Sequence, residues 1–385
     1  MTHRRGGARG RRPERPGRTP GHARLRRPPS GLLLAAAAAL LAVSCGGRER
    51  AERLRIHPML AAQRARTTSL LQAVAAVDDS VAWAAGHDDI WLRTLDGGEH
   101  WTVGTVPGAA GLELRDVWAS GPDTAFLLTA GAGDRSRIYA TTDAGASWAL
   151  RFTNADSSAF FDCIDFWDAR SGLAFSDAVA GRFRVLRTED GGRSWSRIDT
   201  LLPTAREGEG GFAASGGCLV VGAGGRGWIG TGAADSARIL RTGDRGASWS
   251  WAPVPIRGGR EAGVMAVAFR DSLHGLAVGG ELGASDGRVR VAVSDDGGRS
   301  WRAGGSPTLP GPLYGAAWVP GAPSPTAVVV GPGGADYTID GGESWTPLDT
   351  ASYWSVGFAS PRAGWMVGPG GRISRVSLVA LGEGR

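Results

Sequence analysis

The sequence contains six copies of one eight-residue pattern, Ser/Thr-x-Asp-x-Gly-x-x-Trp. The tryptophans that close successive copies are 47, 47, 54, 52 and 44 residues apart. The aspartate and tryptophan positions are Asp96 and Trp101, Asp143 and Trp148, Asp190 and Trp195, Asp244 and Trp249, Asp296 and Trp301, and Asp340 and Trp345. A period of this size is typical of repeat architectures, in which neighbouring units cover each other's apolar faces. The pattern therefore constrains the fold of most of the chain.

Each copy has the chemistry of a tight turn between two β-strands. An aspartate side chain accepts hydrogen bonds from nearby backbone N–H groups, and glycine adopts positive φ without strain. The tryptophan then opens the next strand with an apolar surface of about 150–250 Å². The pattern is the Asp-box (BNR) repeat of β-propellers. An Asp box builds a blade and performs no chemistry, so it predicts a fold and leaves the activity open.

A second feature recurs upstream of each Asp box, namely an apolar strand, a turn and a second strand that ends in a small residue. The seven pairs are 70–77 with 81–86, 114–119 with 124–128, 161–167 with 172–176, 212–222 with 228–231, 264–269 with 275–279, 314–319 with 326–331, and 354–358 with 364–368. No Asp box follows the seventh pair, so the last blade lacks its outermost strand. Propellers usually complete such a blade with the opposite terminus, which removes an exposed edge. We predict an all-β, seven-bladed β-propeller over 69–380, closed by an N-terminal strand near residues 53–58, with a tail at 381–385.

The first 44 residues are typical of an export signal. They hold ten arginines and one acidic residue, and the uncharged run over 31–44 is too short to span a bilayer. The run ends at Leu41-Ala42-Val43-Ser44-Cys45, which resembles a bacterial lipobox, so we expect Cys45 to carry lipid after cleavage. A plain secretory signal with an incidental cysteine is the alternative. Residues 45–68 are then a tether that includes the closing strand, and we expect an envelope lipoprotein on the outer membrane or facing the periplasm.

The high isoelectric point of the chain comes from this leader. Residues 45–385 hold 33 arginines and 36 acidic residues, a formal net charge of −3, which gives no reason to expect nucleic-acid binding. No cofactor is expected, because the G-x-G-x-x-G match at 222–227 precedes a strand pattern where a dinucleotide site needs a helix. No metal is expected either, because the histidines of the mature chain are scattered.

Cys163 and Cys218 occupy matching positions in two adjacent units. Cys163 precedes Leu173 by ten residues, and Cys218 precedes Trp228 by ten residues, with Leu173 and Trp228 at corresponding places. The two cysteines are therefore expected on the innermost strands of neighbouring blades. Outside the cytoplasm they could form a disulfide near the channel, and two small buried thiols are the alternative.

Residues 70–380 resemble the photosystem II stability/assembly factor family of seven-bladed Asp-box propellers. The resemblance is carried by an apolar Gly-Trp/Leu strand, as in Gly364-Trp365-Met366-Val367-Gly368, together with the Asp box downstream of such strands. The segments 160–168 and 210–216 are similar to a bacterial lipoprotein branch of that family. The resemblance implies a non-catalytic assembly chaperone that binds a membrane-protein subunit through an arginine-bearing face. The lipid anchor departs from the photosynthetic members, whose partner this chain need not share.

These observations favour an envelope-anchored, monomeric, non-catalytic propeller that binds a protein or glycan partner over one face. Arg115, Asp162, Asp165 and Glu209 are the candidate binding residues, because we expect them near the mouth of the channel. The alternative is a secreted glycoside hydrolase of sialidase or glucanase type, for which Asp162, Asp165 and Glu209 are the candidate acids. A purely structural surface protein is the third interpretation.

Overall fold

The computed structural model describes residues 56–284 and 288–380. Within these ranges the chain forms seven four-stranded antiparallel sheets and four short 3-10 helices. The prediction of an all-β, seven-bladed propeller is confirmed. None of the helices in the described ranges has the length and apolar character needed to cross a membrane.

The strands are numbered in chain order and grouped by blade. Strand β1 (Ile56–Arg64) precedes blade 1, which holds β2 (Leu71–Ala76), β3 (Ala82–Gly86), β4 (Ile90–Thr94) and β5 (Thr102–Thr105). Blade 2 holds β6 (Glu113–Ala119), β7 (Ala125–Ala130), β8 (Arg137–Thr141) and β9 (Ala149–Thr153), and blade 3 holds β10 (Phe161–Phe166), β11 (Gly172–Val179), β12 (Arg182–Thr188) and β13 (Ser196–Arg197). Blade 4 holds β14 (Leu219–Gly222), β15 (Arg226–Gly230), β16 (Ser236–Thr242) and β17 (Ser250–Arg257).

The remaining strands complete the ring of blades. Blade 5 holds β18 (Ala262–Phe269), β19 (Gly275–Glu281), β20 (Val291–Ser294) and β21 (Arg302–Ala303), and blade 6 holds β22 (Gly315–Trp318), β23 (Ala327–Gly331), β24 (Gly334–Thr338) and β25 (Thr346–Asp349). Blade 7 holds β26 (Ser355–Ser360), β27 (Ala363–Gly368) and β28 (Arg372–Ala380). The 3-10 helices are Gly133–Arg135, Asp199–Leu201, Ala223–Gly225 and Pro369–Gly371.

Blade 7 is closed by the N-terminal strand, as predicted. Strand β1 pairs antiparallel with β28, from Ile56 opposite Ala380 to Arg64 opposite Arg372, and becomes the fourth strand of the sheet. Its bounds differ from the predicted 53–58. The outermost strand of a blade is mostly exposed, so its sequence need not alternate between apolar and polar residues. The exposed run from Met59 to Ala62 does not alternate, so its residue pattern did not indicate a strand there. Residues 53–55 lie outside the described residues.

The Asp boxes form the turns between the third and fourth strands of blades 1 to 6. In blade 3, the Oγ1 of Thr188 donates to Asp190 Oδ1 at 3.0 Å and accepts the N–H of Gly192 at 2.9 Å. Asp190 accepts both the hydroxyl and the N–H of Ser194, and these two hydrogen bonds lower the pKa of Asp190 to about 2. Gly191 and Gly192 have φ of 74° and 72°, a conformation that favours glycine.

The hydrophobic core lies between adjacent blades. Buried Trp83 of blade 1 packs in one cluster with Leu127 of blade 2. Between blades 4 and 5, Trp228 stacks on Phe269 with ring centroids 3.6 Å apart, and the Asp-box residue Trp301 meets Phe269 edge-on at 5.9 Å. Each sheet therefore covers its neighbour, and the stacking holds the inner strands around a central channel.

The predicted inner strand of blade 4 over 212–222 is wrong in its first half. Only Leu219–Gly222 forms the strand, and the residues before it form a loop. That loop is rich in glycine, alanine and serine, and it resembled a strand because it holds no charged residue; in the structure its residues are buried or partly buried. Its burial comes from the central channel, which it crosses, and not from pairing within a sheet.

Candidate functional site

The central channel is lined by one aliphatic residue from the inner strand of each blade. The seven residues are Val74, Val117, Ile164, Leu219, Val267, Ala316 and Val356. They occupy equivalent positions, each opposite the third or fourth residue of the strand that follows it in its blade. Together they surround a cavity of about 360 Å³. The ring gives the channel an apolar waist.

One end of the channel is closed by residues 210–217, which we call the plug. The Oγ of Ser215 donates to the carbonyl of Tyr314 in blade 6 at 2.6 Å. The Oγ of Ser355 in blade 7 donates to the carbonyl of Ser215 at 3.2 Å, and the N–H of Val267 in blade 5 donates to the carbonyl of Gly217 at 2.8 Å. The plug thus bonds to the neighbouring blade 5 and to blades 6 and 7 across the channel, and the channel below it is blind.

Two glycines allow the plug to pass this close to the walls. Gly216 has φ of 76°, and a Cβ there would lie 2.1 Å from Asp116 Oδ1. A Cβ on Gly217 would lie 2.8 Å from the Cβ of Ala266. Any larger residue at either position would displace the plug or the wall.

The plug is fixed at both ends. Beyond it, Cys218 forms a disulfide with Cys163 of blade 3, with the Cα atoms 6.0 Å apart. Before it, Glu209 accepts two hydrogen bonds of 2.6 Å from the guanidinium of Arg238, and a third from the hydroxyl of Thr231. Both ends are therefore held by strong, buried interactions.

Two carboxyl groups on the channel wall connect neighbouring blades. Asp116 of blade 2 accepts the N–H of Ile164 in blade 3 at 2.7 Å, and Asp165 of blade 3 accepts the N–H of Val221 at 2.8 Å. Each also accepts the N–H of its own next residue. Burial raises the pKa of Asp116 well above its usual range and raises the pKa of Asp165 to about 7.

A second pair of carboxyl groups lies beneath the start of the plug. Asp177 accepts the N–H of Gly211 at 2.9 Å, and burial raises the pKa of Asp177 to about 6. Burial, with the charge of Asp177, raises the pKa of Asp162 well above its usual range. The Oδ2 atom of Asp162 is buried and has no hydrogen-bond partner among the described residues.

Three of the four candidate binding residues, Arg115, Asp162 and Glu209, lie near the plug, and Asp165 lies nearer the open end. Arg115 bonds to Glu113 and donates to the carbonyl of Ala213 in the plug at 3.2 Å. Asp165 lines the channel, whereas Asp162 and Glu209 are 2% and 1% exposed. The structure therefore brings three of the four together beside the plug and places Asp165 apart from them, and Asp162 and Glu209 are almost fully buried.

Sequence reasoning missed three residues of this site. Asp116 and Asp177 carry the two other raised carboxyl groups, and Ser215 closes the channel. A polar residue on an otherwise apolar inner strand was the available signal for Asp116. No local pattern distinguishes Ser215 from other serines, because its role depends on contacts with blades 6 and 7.

The open end of the channel lies where the inner strands finish. Trp118, Phe269, Trp318 and Phe358 line it, and Pro320 is exposed at its edge. Arg270 is also exposed there; it bonds to Asp271 at 3.2 Å and stacks over the ring of Trp318 at 5.4 Å. A ligand can therefore approach the aliphatic ring from this side.

Comparison with known proteins relates the chain to photosystem II assembly factors. It is 27% identical over 221 residues to the photosystem II assembly lipoprotein Ycf48 of Synechococcus sp. (strain CC9902), which is 57% of either chain. The chain thus spans little more than half the length of that relative. No family model matches the chain.

Solved structures show the same fold. The structure described as YCF48 bound to D1 peptide is 16% identical, with a TM-score of 0.59 over 83% of this chain and 94% of that one. YCF48 from Cyanidioschyzon merolae is 15% identical, with a TM-score of 0.60 over 83% and 98%. The GH74 enzyme of Niastella koreensis is 13% identical, with a TM-score of 0.55 over 80% and 43%. The sequence comparison supports the resemblance to the photosystem II assembly factor-like family, and the solved structures show that the fold is the same.

Proposed function

We propose that this chain is an envelope-anchored, non-catalytic propeller that binds a polypeptide partner at the open end of its channel. The observation that carries the proposal is the blind channel itself, closed by the plug and open at one aromatic-lined end. Its similarity to Ycf48, a photosystem II assembly lipoprotein, supports a partner that is a membrane protein. A rigid scaffold with one accessible concave site is the usual form of a binding module.

Anchoring is the second part of the proposal. Cys45, which lies outside the described residues, would carry the lipid after cleavage of residues 1–44. The propeller begins at Ile56, so about eleven residues of tether separate it from the anchor, and they reach about 40 Å at most. A Cys45→Ser variant is expected to leave the membrane fraction, and radiolabelled palmitate should label the wild type alone.

Partner binding is tested by cross-linking in membranes of the source cell. The full chain is compared with Pro320→Trp, which places a bulky group at the open end, and with Leu201→Trp, which places the same group at an exposed site on the plug side. We expect one membrane protein to be captured by the wild type and Leu201→Trp, and lost with Pro320→Trp. Equal capture by all three chains would contradict binding at the open end.

Glycan recognition and glycoside hydrolysis are the rival functions. Glu209 is held by Arg238 and Asp162 lies under Gly211, so two of the three acids considered for hydrolysis do not face the channel. The likeness to the GH74 enzyme concerns the fold alone. Hydrolysis of chromogenic glycosides by the purified chain would overturn the non-catalytic proposal, and selective capture on a glycan array would replace the polypeptide partner.

A further inference from the structure

The blind channel combines an apolar ring with two acidic groups that have no cation of their own. Asp116 lies beside the plug and Asp165 lies on the wall nearer the open end. Neither forms an ion pair with any residue in the described ranges. Among the described residues, Arg270 is the only arginine that lines the cavity; its side chain is 31% exposed and bonds to Asp271 at the open end.

The hydrogen bonds of these carboxyl groups favour their ionised form. Each accepts two backbone N–H groups, one on each oxygen: Val117 and Ile164 donate to Asp116, and Phe166 and Val221 donate to Asp165. A protonated acid keeps only part of this acceptor capacity. Burial acts in the opposite direction and disfavours the charge. A cation in the channel would resolve the conflict, because it stabilises both carboxylates.

The shape of the cavity limits what that cation can be attached to. A volume of about 360 Å³ equals roughly a dozen waters at ~30 Å³ each, which suits one long side chain and not a folded segment. Asp116 directly precedes the ring residue of its strand and Asp165 directly follows the ring residue of its own, so a charged head at the ring would have a carboxyl group on either side. The apolar open end would then surround the methylene stem. A guanidinium is favoured over an ammonium because it is more weakly hydrated and presents several N–H donors to carboxylate groups.

We propose that the channel receives an arginine side chain of the partner polypeptide, with its stem at the open end and its guanidinium inside the aliphatic ring, between Asp165 on the side of the open end and Asp116 on the side of the plug. The proposal rests on the proposed function, since it names the group by which a partner at the open end is recognised. The carboxylates supply the charge complement, and the plug sets the depth at which the side chain stops.

The test uses short peptides with the full chain. A glycine–serine peptide with one central arginine is compared with the same peptide carrying citrulline, which has the same shape and no charge, and with a lysine version. Methyl NMR of the ring residues reports the site, and titration gives the affinity. We expect the arginine peptide to bind at least tenfold more tightly than citrulline and to shift the methyl signals of Leu219, Val267 and Val356.

Three variants locate the binding. Asp165→Asn should remove most of the preference for arginine over citrulline, whereas Glu207→Gln, which removes an exposed charge on the plug side, should leave it unchanged. Ala316→Leu fills the ring and should abolish peptide binding without removing a charge. Circular dichroism checks that each variant is folded like the wild type before its peptide binding is compared.

The wild-type measurement alone can overturn the proposal. Equal affinity for arginine and citrulline, tighter binding of lysine, or binding without shifts at the ring would each contradict it. Such a result alongside loss of partner capture in Pro320→Trp would leave the proposed function standing and remove only the arginine assignment. Arginine-peptide binding without any captured partner would support the arginine site and contradict the proposed binding of a membrane protein.

Discussion

The carboxylate of Glu209 and the guanidinium of Arg238 form a bidentate ion pair in which the side chains are 0% and 3% exposed. Both bonds measure 2.6 Å, and the remaining donors of Arg238 include one bond to the carbonyl of Thr204. The pair joins the loop before the plug to the third strand of blade 4. Two charges buried this completely are stable only together, because either one alone would be left without compensation.

Removing one partner of this pair is therefore expected to destabilise the fold strongly. Glu209→Gln should lower the free energy of unfolding by about 3–5 kcal/mol, because it leaves the guanidinium of Arg238 buried without a counter-charge. Denaturant unfolding measures the loss. The control is Arg257→Ala, which breaks the exposed pair with Glu281 and should cost less than about 1 kcal/mol. Similar losses in both variants would show that the buried pair is not fully desolvated.

The disulfide between Cys163 and Cys218 is expected to stabilise blades 3 and 4 and the end of the plug. It closes a loop of 55 residues, and constraint of the unfolded chain over such a loop is worth about 2–4 kcal/mol. Thiol counting on the domain after Cys45 should find no free thiol before reduction and two after it. The double variant Cys163→Ala/Cys218→Ala should unfold at lower denaturant, with no further change on adding reductant. Two free thiols in the untreated domain would contradict the pairing.

The features that the sequence predicts well are those that repeat. The number of blades and the matching placement of Cys163 and Cys218 in adjacent blades follow from comparing equivalent positions across units, whereas the sequence left a disulfide and two free thiols as alternatives. The plug could not be predicted in this way, because it occurs in one blade and its residues are apolar enough to pass for a strand. Ser215 has meaning only through Tyr314 and Ser355, which lie 99 and 140 residues away in the chain.

The sequence located the candidate site only in part, because the burial of its residues depends on the plug. Arg115, Asp162 and Glu209 do lie near the plug, since each is near the start of an inner strand or in the loop before it, whereas Asp165 lies near the end of its strand. Their exposure depends on the plug, and no sequence pattern indicated that the plug would cover Asp162 and Glu209. Electrostatic environment is likewise a property of the assembled channel, so the raised pKa of Asp165 had no local signal.

The stability of the fold is expected to depend on pH through Asp165. Burial raises the pKa of Asp165 from 3.8 to about 7, so the folded chain holds a proton that the unfolded chain releases above about pH 4. This contribution to stability is fully present below pH 3.8 and is lost as the pH rises to about 7. A difference of about 3 pKa units corresponds to roughly 4 kcal/mol. Between pH 5 and pH 8, the free energy of unfolding should fall less in Asp165→Asn than in the wild type. An equal fall in both would contradict the assignment of this pH dependence to Asp165.

The closing strand β1 is expected to be required for a stable ring of blades. It pairs along nine residues with β28, whose other edge pairs with β27, so its removal exposes the whole edge of β28. A chain without residues 46–64 should melt at a much lower temperature and associate through that edge. The matched control lacks residues 46–55 and keeps β1, so its melting temperature should stay close to that of the domain beginning at residue 46. Thermal unfolding with light scattering measures both effects, and equal melting of the two truncated chains would show that blade 7 is stable with three strands.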